Sequence, residues 1–157
     1  MITLIHSNTL ADLSLAAKSS PRLRKNLNFH SSNDSVCHRL LNALEPGTYV
    51  QPHCHADPEK DETMIALKGR FGILIFDQTG AIVEQFIMAA SEGNLGVTIP
   101  AGVFHSMLAL ESGSVFFESK AGPYAALSDA EIAQWAPTEG EAGCAAYLNM
   151  LTARFLP

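Results

Sequence analysis

The 157-residue chain predicts one mainly β domain with helical ends. Three observations carry that expectation. Between about residues 36 and 119 the apolar residues fall into short runs separated by glycine-containing turns, the pattern of a closed β-barrel or a sandwich. Before and after that stretch the apolar spacing becomes helical. Two of the six histidines also stand one residue apart, in PHCHADPEKDE at 52–62, as two side chains on one face of a strand would.

Residues 8–18, NTLADLSLAAK, place Leu10, Leu13 and Ala17 at helical spacing, with Asn8 or Thr9 as the cap. SSPRLRKNLNFHSSNDS then reads as an ordered arm or loop, punctuated by Ser, Pro and Asn. The strand-like runs begin with VCHRLLNALE, which ends at Pro46-Gly47. TMIALKG and RFGILIFD follow, then the turn DQTG and the run AIVEQFIM. After SEGN come LGVTI, the turn PAG, VFHSMLAL, the turn ESG, and SVFFESK. Beyond AGPY a helical pattern returns. SDAEIAQW carries Ser128 and Glu131 at capping-box spacing, and EAGCAAYLNMLTARFL is a second helix once Gly143 is discounted. The expected division is a helix and arm over 1–35, a β-barrel over 36–120 and a helical extension over 121–157, all within one domain.

Hydrophobic residues make up 47% of the chain and charged ones 17%, too apolar a balance for disorder. A formal net charge of −6 argues against a nucleic-acid partner, which needs a basic face. Cys37, Cys54 and Cys144 are odd in number, widely spaced and form no C-x-x-C, so free thiols in a reducing compartment are expected. The start lacks the basic region of a signal peptide, and no apolar run nears the ~20 residues that span a bilayer. The expectation is a cytoplasmic protein that works without a membrane.

On a strand His53 and His55 share a face while Cys54 points away to pack as a small hydrophobe. Two imidazoles buried inside a barrel are costly unless their lone pairs are satisfied, and a bound metal does that. Glu62 opens the next strand-like run, and His105 follows the PAG turn. Three neutral imidazoles and a carboxylate suit a divalent metal such as Zn, Fe, Mn or Ni.

These motifs resemble the cupin superfamily, whose first motif has the form G-x5-H-x-H-x3–4-E-x6-G and whose second has the form G-x5-P-x-G-x2-H-x3-N. The chain offers Gly47, His53, His55, Glu62 and Gly69 for the first, then Pro100, Gly102 and His105 for the second. The resemblance implies a cupin double-stranded β-helix, a jelly-roll barrel, with His53, His55, Glu62 and His105 as metal ligands. Six residues separate His55 from Glu62, which makes Glu59 a rival. Glu62 is preferred because its distance to Gly69 is right and it begins an apolar strand. Gly93 stands one residue early in the second motif, and Ala109 replaces the closing Asn. Within the superfamily, SPRLRKNLNFH, RLLNALEPGTYVQPHCHADPEK, IPAGVFH, FFESKAGPY and a late WAP-EG look like the WbuC-type cupin-fold metalloproteins. Members of that family are often encoded among O-antigen polysaccharide genes. That likeness implies a small-molecule ligand, with a sugar or sugar-nucleotide as the example, and small cupins commonly form homodimers.

Other residues have two readings each. Glu118 alternates with Phe116 on the last strand, so it can face the cavity as a proton donor or acceptor, or pair with Lys120 or an Arg. His30 and His38 are structural histidines or pocket residues, with His30 the better pocket candidate because its arm resembles a family motif. Arg22 and Arg24 in RLRK can hold a phosphate or carboxylate, or lie in a solvated loop. Phe104 and Phe116 read as core and His6 as solvated. The expected activity is that of a metal-dependent isomerase, epimerase or lyase of a small polar molecule. A non-catalytic sensor and an Fe-dependent oxygenase are the alternatives.

Overall fold

The computed structural model describes residues 2–156. Its elements are α1 (Ser7–Lys18), β1 (Arg24–Asn28), β2 (Cys37–Leu44), β3 (Glu62–Lys68), β4 (Arg70–Phe76), β5 (Ile82–Ala89), β6 (Gly96–Ile99), β7 (Phe104–Ala109), β8 (Ser114–Ala121) and α2 (Cys144–Ala153). A five-stranded sheet of order β1-β2-β8-β3-β6 faces a three-stranded sheet of order β5-β4-β7, and every strand pair is antiparallel. This is a jelly-roll barrel.

Period-two alternation sorts the side chains between two faces. Met64 and Ala66 of β3, Phe71 and Ile73 of β4, Met107 and Ala109 of β7 and Phe116 of β8 pack together between the sheets. Phe71 and Phe116 meet edge to face at 5.3 Å, and truncating a side chain as buried as Phe71 costs about 3–5 kcal/mol. Their alternates turn outward. Leu74, Phe76, Phe104 and Leu108 are covered by Leu148 and Leu151 of α2 together with Cys54, Ala133 and Ala136. On the other sheet Leu41, Ala43 and Val115 are covered by Leu13 and Ala17 of α1. Both helices therefore sit outside the barrel and leave its interior to the strands.

The β3–β4 hairpin turns at Gly69, which has φ +74°. A Cβ there would lie 2.9 Å from Cα of Ser114, so both the dihedral and the close backbone approach require glycine.

Three elements differ from the sequence expectation. The arm contains a strand, β1, although Arg24-Lys25-Asn26-Leu27-Asn28 shows no apolar alternation. It is an edge strand ordered by its backbone ladder to β2, and most of its side chains stay exposed. The α1 cap is His6, whose amide meets Thr9 Oγ1 at 3.3 Å, rather than Asn8 or Thr9. SDAEIAQW forms no helix. The Ser128–Glu131 contact is made, but Cys54 N–H donates to Glu131 O and Ala133 N–H to Pro52 O, which draws this backbone alongside residues 52–54. Tertiary pairing wins over the local signal.

Candidate metal centre

The site is assembled by backbone pairing at one end of the barrel. His53 N–H donates to His105 O at 3.1 Å, and His105 N–H returns the bond to His53 O at 2.9 Å. Directly paired residues of an antiparallel bridge project to the same side. The PAG turn is held in register by Gly102 N–H donating to His55 O at 2.7 Å. Alternation along β7 puts His105 on the interior face with Met107, and alternation along β3 does the same for Glu62 with Met64. Glu131 steadies the histidine segment from outside. Its carboxylate accepts the Ala56 N–H and the Ser128 N–H and hydroxyl, contacts that lower its pKa to about 2.

His53, His55, Glu62 and His105 each offer one ligand atom, and these atoms all lie within 4.8 Å of one another. Glu59, the rival carboxylate, is exposed in the loop before β3. Cys54 turns away and is buried in the cluster beneath α2.

The donor set fits a divalent cation on two observations. First, Nδ1 of His53 lies 2.9 Å from Gln51 O and Nδ1 of His105 lies 2.9 Å from Val103 O. A carbonyl only accepts, so each Nδ1 carries a proton and each Nε2 of a neutral ring offers its lone pair to the centre. His105 Nε2 nonetheless sits 3.0 Å from Glu62 Oε2, an acceptor facing an acceptor unless a proton or a cation lies between them. Adjacent ligands of an octahedral ion at about 2.1 Å stand about 3.0 Å apart. Second, His55 Nε2 is buried without a hydrogen-bond partner and lies 3.7 Å from the same Glu62 oxygen. A buried imidazole nitrogen left unpaired is costly, and coordination removes the cost.

Behind the ligands lies a charged row that the sequence reading only half anticipated. Lys120 Nζ donates to Glu62 Oε1 at 3.0 Å and sits 2.7 Å from Glu118 Oε1. Asn42 Nδ2 donates to Glu118 Oε2 at 2.7 Å. Glu118 is buried on the cavity face and at the same time paired with Lys120. Lys120 is the residue missed as a part of the site. Its signal was its place two residues beyond Glu118, hence on the same face of the last strand.

The electrostatics follow from burial and neighbours. Burial together with the Glu62 charge raises the Glu118 pKa to about 7, against the opposing pull of Lys120. Burial also works to raise Glu62, but the contacts of His105 and His55 and the charge of Lys120 outweigh it and hold that carboxyl well below its ordinary value. For Lys120 burial lowers the pKa, and the two glutamates outweigh it and keep the ammonium charged. Burial lowers His53 to about 3, assisted by His105, so this ring is neutral and available as a ligand.

The cluster opens to a cavity of about 220 Å³ lined by His53, His55, Lys60, Lys120 and Tyr124 among others. Next to it lies one of about 240 Å³ that includes His30, His38, Glu118 and Tyr124. His30 is thus a wall residue and not a member of the ligand cluster. Its ring stacks on His38 at 4.0 Å, and its Nδ1 accepts the Arg39 N–H at 3.2 Å. Arg22 and Arg24 lie outside the ligand cluster, and both are engaged by Glu139. Arg22 Nε and Nη2 donate to its two oxygens at 2.9 and 2.6 Å, and Arg24 Nη2 adds a bond of 2.7 Å. Phe104 and Phe116 are buried in the two apolar clusters. No helix among the described residues is long and apolar enough to cross a membrane.

Solved structures share this architecture at low sequence identity. TT1209 from Thermus thermophilus matches with a TM-score of 0.53 and 20% identity, covering 76% of this chain and 97% of that one. KdgF from Halomonas sp. matches at 0.52 and 16%, covering 68% and 85%. A conserved protein of unknown function from Streptococcus pyogenes, SPY1581, matches at 0.50 and 17%, covering 68% and 80%. At these identities the likeness establishes the fold alone. No curated protein matches the sequence. A family model described as "Domain of unknown function (DUF6016)" matches residues 5–88, more than half of the 157. The chain belongs to that family, and its fold is that of a cupin.

Proposed function

We propose that this protein is a metal-dependent enzyme acting on a small polar molecule, with His53, His55, Glu62 and His105 holding a divalent metal. The observation that supports it best is a protonatable carboxyl beside the ligand cluster. Glu118, with a pKa raised to about 7, reaches Glu62 through Lys120 and lines the adjoining cavity, which shares Lys120 and Tyr124 with the one over the ligands. A metal held by these four residues would act as a Lewis acid on a carbonyl or hydroxyl of the bound molecule. Glu118 would take or give a proton near neutral pH, Lys120 would fix both carboxylates, and the stacked rings of His30 and His38 would form the wall beside them. Proton movement at a polarised carbon or oxygen is the chemistry of an isomerase, epimerase or lyase. The closer kinship is with the WbuC-type cupins, supported by the motif stretches quoted above, and a sugar-derived substrate comes with that kinship as an analogy of fold.

The test is elemental analysis of the untreated protein, of His53→Ala and of His105→Ala, joined to a turnover screen on polar metabolites. Near-stoichiometric Zn, Fe, Mn or Ni in the parent and loss of most of it in both variants is the expected result. Equal metal in parent and variants refutes the ligand assignment. Binding without product identifies a sensor instead, and oxygen uptake with Fe(II) identifies an oxygenase.

A further inference from the structure

The cavity over the ligand cluster is one end of a longer feature. It shares His38, Lys120 and Tyr124 with the neighbouring cavity. That neighbour shares Asn26 with a third, of about 310 Å³, which Arg24, Lys25 and Asn42 also line. Strand register explains the continuity. His38 pairs with Lys120 and Lys120 with Glu62, Asn28 with Leu40 and Leu40 with Glu118, Asn26 with Asn42, and Arg24 with Leu44, so these side chains share one face of the sheet. Five strands face three, and β1 stands at the edge of the larger sheet. Its interior-face residues Asn26 and Asn28 remain exposed.

We propose that this track is a single ligand groove, and that it takes a saccharide longer than one ring with an anionic group at the end remote from the metal cluster. The proposal rests on the metal-centre reading for its near end only. His38 and Leu44 stand six positions apart on β2, so the track is roughly 20 Å long at about 3.3 Å per residue. Most side chains that line its middle and far sections carry hydrogen-bonding groups, where most small-molecule sites are lined by apolar ones. Asn28 accepts from Asn26 Nδ2 at 2.9 Å and keeps its own amide nitrogen unpaired among the described residues, while Asn42 donates to Glu118 and keeps its carbonyl oxygen. Side chains that both donate and accept match hydroxyls, which do the same. Leu40 is the one apolar side chain lining the middle section, too little to anchor a peptide side chain. The far end is cationic. Arg22 and Arg24 share one carboxylate, Glu139, which leaves a net positive charge.

The test is calorimetric titration of the full chain, with metal content measured on the same sample. The probes are trehalose 6-phosphate, cellobiouronate, neutral trehalose and the single-ring glucose 6-phosphate. At least one charged disaccharide should bind tenfold or more tightly than both trehalose and glucose 6-phosphate. Which one does so tells a phosphate from a carboxylate terminus. Asn26→Leu and Asn28→Leu, both at exposed positions of an edge strand, should each weaken that binding fivefold or more with unchanged metal content and melting temperature. Equal affinity for charged and neutral or for short and long probes, no binding by any probe, or insensitivity to both variants overturns the groove. A metal-loaded sample that fails in this way leaves the metal centre standing. A sample that takes up no metal overturns the metal reading instead, and Asn26-sensitive binding in it still supports the groove.

Discussion

Lys120→Met isolates the charge balance of the site. The substitution keeps an unbranched side chain of similar length and removes the one cation that, among the described residues, pairs with both Glu62 and Glu118. Breaking a buried ion pair by removing one partner costs about 3–5 kcal/mol. Here the ammonium side chain is 23% exposed, and Glu118 can relieve the repulsion by taking up a proton, so the lower end, about 3 kcal/mol, is expected. For a domain of this size 1 kcal/mol shifts the melting temperature by about 2–4 °C, which gives a loss of about 6–12 °C. The assay is scanning calorimetry at pH 8 with a chelator present and again with excess Mn(II) or Zn(II). A divalent cation at the four ligands supplies the missing positive charge, so metal should recover part of the loss and stabilise the variant more than it stabilises the parent. Equal melting temperatures without metal, or the same deficit with and without it, would refute the reasoning.

Three further outcomes follow from the electrostatics. Because the folded pKa of Glu118, about 7, lies above its ordinary 4.5, metal-free stability falls as pH rises between those values. Glu118→Gln removes that dependence, so its melting temperature relative to the parent should climb from pH 4.5 to 7, and a flat difference would contradict the burial. Glu139 is the opposite case. Its bonds to Arg22 and then Arg24 lower it to about 2, so its contribution is full above pH 4.5 and fades as pH falls toward 2. Glu139→Gln should cost about 1 kcal/mol at most near neutral pH, because the cluster is partly exposed, and nothing near pH 2 in denaturant titrations. His53 should show no imidazole titration by NMR between pH 8 and 5 in metal-free protein, since burial lowers it to about 3; a midpoint near 6.5 would place that ring in water.

The β runs between residues 36 and 119 were legible because alternation along a strand is written residue by residue, and the runs correspond to β2 through β8. β1 was not, since an edge strand is specified by its partner's backbone and not by its own side chains. SDAEIAQW misled for a related reason: its capping contact formed, yet residues 52–54 offered its backbone a competing set of hydrogen bonds.

His53, His55, Glu62 and His105 could be picked out from spacing and motif alone, although His53 makes only isolated bridges and His55 lies in no strand, contrary to the strand expected there. Only the tertiary structure decided that the bridge between His53 and His105 turns both rings inward, and that Lys120 holds Glu62 and Glu118 together across neighbouring strands. It also drew Arg22 and Arg24 to Glu139, 117 and 115 residues further along the chain. Local order is encoded within a few residues. Charge pairing across the sheet depends on register and on distances that no linear spacing contains.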